Sequence, residues 1–342
     1  KYYFIYISVL LNMNRILPII CLLVSPLFLF INAGEEDEIA KKKAADDYRK
    51  SFVATEITTP EQLGWTGKGC KEGKLSRETY VKLLTRINYY RRLAGVNDHI
   101  VLDSTWCKYA QAAAVIMNAS GELNHNPGPT MRCYSADGKL GAATSNLSTI
   151  VDKSIRLLIA DEIQDGGISN NDCGHRRWLL NSDSYKMGVG ATPGAYAVRV
   201  MGSFEEKDTS SFHGTVPEYF GYPFRGFIPC QVVYPKWSFA VPAGADFGVA
   251  AVEVKAGDKL LSCSIISRGK KSYGDPTLVW TVRGIKEDYE YNYYDMAEKK
   301  KGFETLGLLN KKITVKVSNV KVGGKLKSYS YSFTIFDPDE VK

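Results

Sequence analysis

Histidine is scarce in this chain: its 342 residues hold four, His99, His125, His175 and His213. No HExxH pair occurs, which excludes the zinc-protease helix that puts two imidazoles one turn apart on a single metal. No GxSxG elbow and no GxxxxGK[ST] loop occur either. The nucleophile turn of the α/β-hydrolases and the phosphate cradle of the P-loop enzymes are therefore absent. Gly188-Val189-Gly190 with Gly194 falls in a hairpin pattern rather than between a strand and a helix, so it reads as structural. A long Lys/Arg block with interleaved aromatics is missing too. The formal charge of +7 is thus diffuse, and no nucleic-acid partner is expected. There is no close internal repeat. With 44% hydrophobic and 24% charged residues, the composition excludes global disorder, a collagen-like fibre and a polytopic membrane protein.

The first 33 residues contain no acid. Met13-Asn14-Arg15 carries one positive charge, residues 16–31 carry none, and Ile31-Asn32-Ala33 offers small residues before Gly34. Glu35-Glu36-Asp37-Glu38 closes the apolar run. This is the three-part layout of a secretory signal peptide over residues 1–33, with Met13 as the start and residues 1–12 as untranslated upstream sequence. Pro18 and Pro26 count against a spanning helix; a retained anchor is the alternative. The expected product is secreted and extracellular, with no membrane contact once the signal is removed. Without Cys21, six cysteines remain: Cys70, Cys107, Cys133, Cys173, Cys230 and Cys263. An even number in an exported chain implies up to three disulfides, with free buried thiols as the alternative. Cys230–Cys263 is the favoured pair, since both lie in the C-terminal segment.

The length suggests two domains at roughly 100–200 residues each. Residues 34–75 form a charged arm and linker: a surface helix or mobile arm to residue 60, then a Gly- and Lys-rich stretch pinned by Cys70. Ser76 is a good N-cap, and Tyr80, Leu83, Leu84 and Ile87 repeat at helical spacing until Gly95. Asp103 or Ser104 caps a second helix that buries Trp106, Ala110, Ala113, Ala114 and Met117 and stops at Gly121. A third helix is expected over 148–164, with Val151, Ile155, Leu158 and Ile159 inward. Residues 185–190 and 195–203 read as a hairpin around Pro193-Gly194. These pieces give an α+β domain over 76–205. Residues 206–228, rich in Gly, Pro and aromatics, read as a linker. Short strand-like runs follow at 231–234, 249–254, 260–267, 278–282, 313–322 and 329–336, the last two flanking Gly323-Gly324-Lys325. They predict an antiparallel, immunoglobulin-like β-sandwich over 229–342.

Two segments place an imidazole at the edge of a cleft: Leu123-Asn124-His125-Asn126-Pro127 and Asp172-Cys173-Gly174-His175-Arg176-Arg177-Trp178. Two imidazoles plus carboxylates begin a zinc-type site; satisfied structural histidines are the alternative. At this point a family can be named. Ile87-Asn88-Tyr89-Tyr90-Arg91 matches an N-x-x-R opening helix, and residues 102–117 match an Ala-rich second helix. Leu123-Asn124-His125 matches a first histidine motif. Thr144-Ser145-Asn146-Leu147 stands where the family has G-E-N-L, and Gly174-His175-Arg176-Arg177-Trp178 where many members have G-H-Y-T-Q. In this order, over about 130 residues, the chain resembles the CAP superfamily of SCP-like extracellular proteins (cysteine-rich secretory, antigen and pathogenesis-related), in its GHRRW form.

The resemblance implies an α-β-α sandwich with a cleft of two histidines and two acids that in some members holds a divalent metal. Carried over, the histidines are His125 and His175. Ser145 replaces the first acid. Asp161 is the second, with Glu162 as the register alternative, and Arg176 joins the cleft as an anion site or a buried pair. The cofactor implied is zinc or another divalent metal, with none required. A Ser145 nucleophile activated by an imidazole needs a direct contact with the ring. Asn118 and Asn146 head glycosylation sequons, Asn146 the more buried of the two. The expected function is a non-enzymatic binding or effector module for a lipid, a sterol or an extracellular protein, with the β-sandwich as spacer or interaction surface. The alternatives are a protease-like hydrolase using His125, His175 and Asp161 around a metal-bound water, and a surface-anchored adhesion protein.

Overall fold

The computed structural model describes residues 33–150, 155–202, 214–269, 273–287 and 296–342. The expected signal segment to residue 32, Val151 and His213 lie outside the described residues. Helix α1 (Ala33–Ser51) opens with Glu35 and Glu36 and closes with Arg49 and Lys50, charges that suit both ends of its dipole. It buries Ala45 and Tyr48, so the charged arm is docked. Arg49 donates to the carbonyls of Pro338 and Val341 near the far end of the chain.

Helices α2 (Arg77–Ala94) and α3 (Ser104–Ser120) begin and end on the expected caps. Ser76 Oγ accepts from Thr79 N at 3.1 Å, and Asp103 accepts from Trp106 N at 2.8 Å. Gly95 and Gly121 end the helices at φ +77° and +73°, where a Cβ would be strained. Helix α4 (Ala136–Ala143) has no counterpart in the sequence reading. A four-stranded sheet follows the order β1 (Val101–Leu102), β3 (Lys186–Ala191), β4 (Ala195–Arg199), β2 (Ser145–Thr149). Strands β2 and β4 are buried at nearly every position, as a sheet covered on both faces requires. The third helix expected from residue 148 is a correction. Residues 145–149 pair antiparallel with β4, from Ser145 opposite Arg199 to Thr149 opposite Ala195. Helix survives only in the short α5 (Ala160–Gln164), while Ile155, Leu158 and Ile159 are buried as expected. Helix α6 (Gly174–Leu179) carries His175.

The Gly188/Gly190 pair is structural. A Cβ on either would lie 2.2–2.3 Å from backbone atoms of Gln111 or Trp106, so α3 rests directly on β3. The disulfide is Cys70–Cys133, while Cys107, Cys173, Cys230 and Cys263 are free. The expected Cys230–Cys263 bond is not made. Cys230 follows β6 (Gly226–Pro229), whereas Cys263 opens β10 (Cys263–Gly269) in the other sheet of the sandwich. The Cys70–Cys133 bond spans 63 residues. Closing a loop of that size restrains the unfolded chain by about 4 kcal/mol. Changing both cysteines to serine should lower the unfolding free energy by about that amount in a denaturant titration without reducing agent.

The C-terminal half is a two-sheet sandwich. Strands β5 (Phe220–Tyr222), β7 (Lys236–Ala240), β10 and β11 (Thr277–Val282) form one sheet in the order β10-β11-β7-β5. The other has the order β6-β13-β12-β8-β9, with β8 (Ala251–Ala256), β9 (Lys259–Leu260), β12 (Lys312–Val322) and β13 (Lys325–Phe336). Aromatic pairs join them, among them Trp237–Phe333 at 5.3 Å and Phe239–Tyr329 at 5.2 Å between ring centres. Three expectations are corrected here. Strand β6 runs parallel to β13, so the sandwich is not purely antiparallel. Residues 220–228, assigned to the linker, supply two strands. Residues 230–232 form a 3-10 turn and the strand waits until Lys236, since Pro229 and Pro235 cannot donate to a ladder. Helix α7 (Met296–Leu306) was not anticipated.

One hydrophobic core runs through both halves, from Tyr48 and Tyr90 to Trp237 and Phe333. The hydroxyls of Tyr90 and Tyr234 meet across it at 2.8 Å. Among the described residues no helix is long and apolar enough to cross a membrane.

A candidate ligand cleft around His125 and His175

His125 sits just beyond α3, and its Nδ1 is 2.8 Å from the carbonyl oxygen of Ala142 at the end of α4. A carbonyl only accepts, so Nδ1 carries a proton and donates it there. His175 sits in the first turn of α6, after Cys173 in the left-handed region at φ +49°. Its Nδ1 is 2.9 Å from Oδ1 of Asp165, and its backbone N donates to Oδ2 of the same carboxylate at 3.0 Å. The Asp165 side chain is fully buried and also receives the N–H of Arg176.

A carboxylate so placed fixes the imidazole's tautomer and orientation and favours its charged form. Burial works against the charge on His175. The hydrogen bond and charge of Asp165, with Glu162 and Asp161 behind it, outweigh burial and raise the ring to about 9. Glu162 is buried beside it. Burial pushes its carboxyl up to about 8, against the pull of the His175 charge and of an Asn146 hydrogen bond at 2.8 Å. Both shifts run toward the protonated form, the charged ring of His175 and the uncharged carboxyl of Glu162. Asn146 also donates to the His175 carbonyl at 3.0 Å, which ties β2 to α6 and buries the sequon asparagine.

Both imidazoles line one cavity of about 420 Å³, with Ser145, Asn146, Trp178 and Tyr273 among its walls. Asp161 does not reach it. That side chain receives the Ser148 hydroxyl at 3.2 Å and lines, with Glu162, an adjoining hollow that shares Ser169, Asn170 and His175 with the first. Among the described residues no group of three or more His, Cys, Asp or Glu side chains is placed to hold a metal ion. The expected ligand trio of His125, His175 and Asp161 is thus not assembled. Arg176, expected at the cleft, is a core residue. It donates to the carbonyls of Ile163, Gln164 and Lys236 and stacks over Tyr222. Arg177 is buried as well and donates to the Asp275 carbonyl. Ser145 faces the cleft, but its buried hydroxyl has no hydrogen-bond partner among the described residues, so neither imidazole activates it.

Residues 84–201 match the family model of the cysteine-rich secretory protein family, CAP. This stretch is a CAP domain. The match begins inside α2 and ends just after β4, so it contains both histidines and the whole four-stranded sheet. CAP proteins are typically extracellular. No curated protein matches the chain. Sequence reasoning about the CAP motifs missed Asp165, the residue that does most to His175. Its signal was the Asp165-Gly166-Gly167 turn ten residues upstream. Only the fold brings that turn back to the imidazole.

Proposed function

We propose that this is a secreted CAP protein whose two-histidine cleft binds a small acidic amphiphile, such as a fatty-acid-like lipid. The supporting observation is the Asp165–His175 pair at the wall of a cavity of about 420 Å³, a size within the usual range for small-molecule sites. With Nδ1 committed to Asp165, the cationic ring offers Nε2–H to an anionic oxygen. His125 Nε2 offers a lone pair to a hydroxyl or to a protonated acid. Trp178, Val200 and Met201 supply apolar wall for the rest of the ligand. The donor set does not fit a zinc centre. Ser145 stands in place of one acid and Asp161 is turned to Ser148, so the metal-assisted hydrolase receives no support from the residues present.

Titration calorimetry with oleate, cholesterol and zinc chloride tests this reading. Oleate should bind at pH 7 and weaken at least tenfold between pH 8 and 10. His175→Ala should weaken it by about 10–100-fold, the worth of one charged hydrogen bond. Equal binding of cholesterol with no pH dependence would sink the anionic-ligand reading. Stoichiometric zinc lost in His125→Ala would revive the metal site.

A further inference from the structure

The pair that defines the cleft is held from outside the CAP domain. Lys236, the first residue of β7, directs its ammonium into the CAP half. It donates to the carbonyls of Asp165 at 2.6 Å, Gly167 at 2.7 Å and Asn170 at 3.1 Å. An ammonium has three N–H bonds, and all three are spent on one six-residue loop. The residue is only 4% exposed, and burial lowers the pKa of its amine. Placing an ammonium there is expensive unless its donors are satisfied, and the carbonyls of this loop satisfy them.

The loop does not hold this shape through its own bonds alone. Asp165, Gly167 and Cys173 all lie at positive φ, at +51°, +81° and +49°, and two of these are not glycine. Such backbone persists where its surroundings over-determine it. The surroundings are those of the sandwich. Besides Lys236, the Glu287 carboxylate accepts from Gly167 N at 3.0 and 3.1 Å, and Ser267 bonds Asp172. The main chain of Asp165, gripped by Lys236, carries the carboxylate that orients His175.

We propose that Lys236 is the positioning residue of the cleft: from the β-sandwich it fixes the 165–170 loop and, through Asp165, holds His175 in its ligand-binding orientation. The sandwich is then a working part of the site. The inference rests on the proposed ligand reading only for what His175 contacts; the hold on the loop can be tested without a ligand.

The test follows the histidine ring protons of the full chain by NMR against pH, in wild type, Lys236→Met and Lys236→Arg. Met keeps the stem and removes the donors. Wild-type His175 should titrate near 9. In Lys236→Met its midpoint should fall by a unit or more, toward the ordinary value of about 6.5. Removing a nearby positive charge would by itself raise the midpoint, so a fall reports lost geometry. Lys236→Arg should recover part of the fall. A folded Lys236→Met protein with an unchanged His175 midpoint would overturn the proposal. Should that variant fail to fold, Lys236→Gln, which also removes the positive charge but keeps an amide donor, should move His175 in the same direction by a smaller amount; no movement there also overturns it. Failure of wild type to bind oleate would instead count against the ligand reading and leave this titration standing.

Discussion

Replacing Asp165 by Asn should destabilise the protein by about 3 kcal/mol at pH 6, the usual effect of breaking a buried, hydrogen-bonded charge pair. The carboxylate is fully buried and receives the ring N–H and main-chain N–H of His175. An amide keeps one acceptor, supplies no charge, and turns an N–H toward a group that is itself a donor. The pH dependence carries the sharper signature. His175 is raised from 6.5 to about 9 in the folded state. Its contribution is therefore complete below the unfolded value and lost as pH rises through 9. Glu162, raised from 4.5 to about 8, binds its proton more tightly when folded. It too contributes most at low pH and loses that contribution as pH rises. Wild-type stability should fall from pH 4.5 upward as Glu162 loses its proton, and between pH 6.5 and 9 as His175 does, in urea titrations. In Asp165→Asn the His175 part of that slope should vanish, so the gap between the two proteins narrows as pH rises. A gap constant with pH would show that Asp165 is not what raises His175.

Gly190→Ala should be comparably damaging with no charge involved. The new methyl would sit 2.2 Å from the main-chain N of Gln111 and 2.3 Å from its Cα. Main chain cannot rotate aside as a side-chain tip can. Gln111 is also clamped to the same strand, its amide bonding the Ala191 carbonyl at 2.9 Å and the Ala191 N–H at 3.1 Å. Helix α3 must lift from β3, and overpacking of this kind costs about 3 kcal/mol or more. Gly128→Ala is the control, since nothing lies within 4 Å of its Cβ position. It should stay within about 0.5 kcal/mol of wild type in thermal unfolding.

What the sequence made legible follows the range of the interactions involved. The caps at Ser76, Asp103, Gly95 and Gly121 are local chemistry, and each stands where the residues put it. The hairpin at Pro193-Gly194 and most of the later strands were equally readable, since alternation and turn residues are local too. Residues 145–149 misled because their partner strand lies fifty residues on, and pairing overrode the helical spacing that follows them. Both histidines line one cavity. Asp165 and Lys236 were invisible for a different reason. A carboxylate and an ammonium look like surface residues in a sequence, and only the closing of the sandwich over the 165–170 loop buries them.

The tyrosine pair that joins the halves has a consequence for the unfolding pathway. Tyr90 and Tyr234 share a hydrogen bond inside a core that runs through both halves, while Arg176 and Lys236 reach across it in opposite directions. Sub-global opening needs a surface along which few contacts break. The boundary between the CAP domain and the sandwich is not such a surface. Amide hydrogens in β4 and in β7 should therefore exchange through one shared event, and the cleft persists only while the whole molecule does.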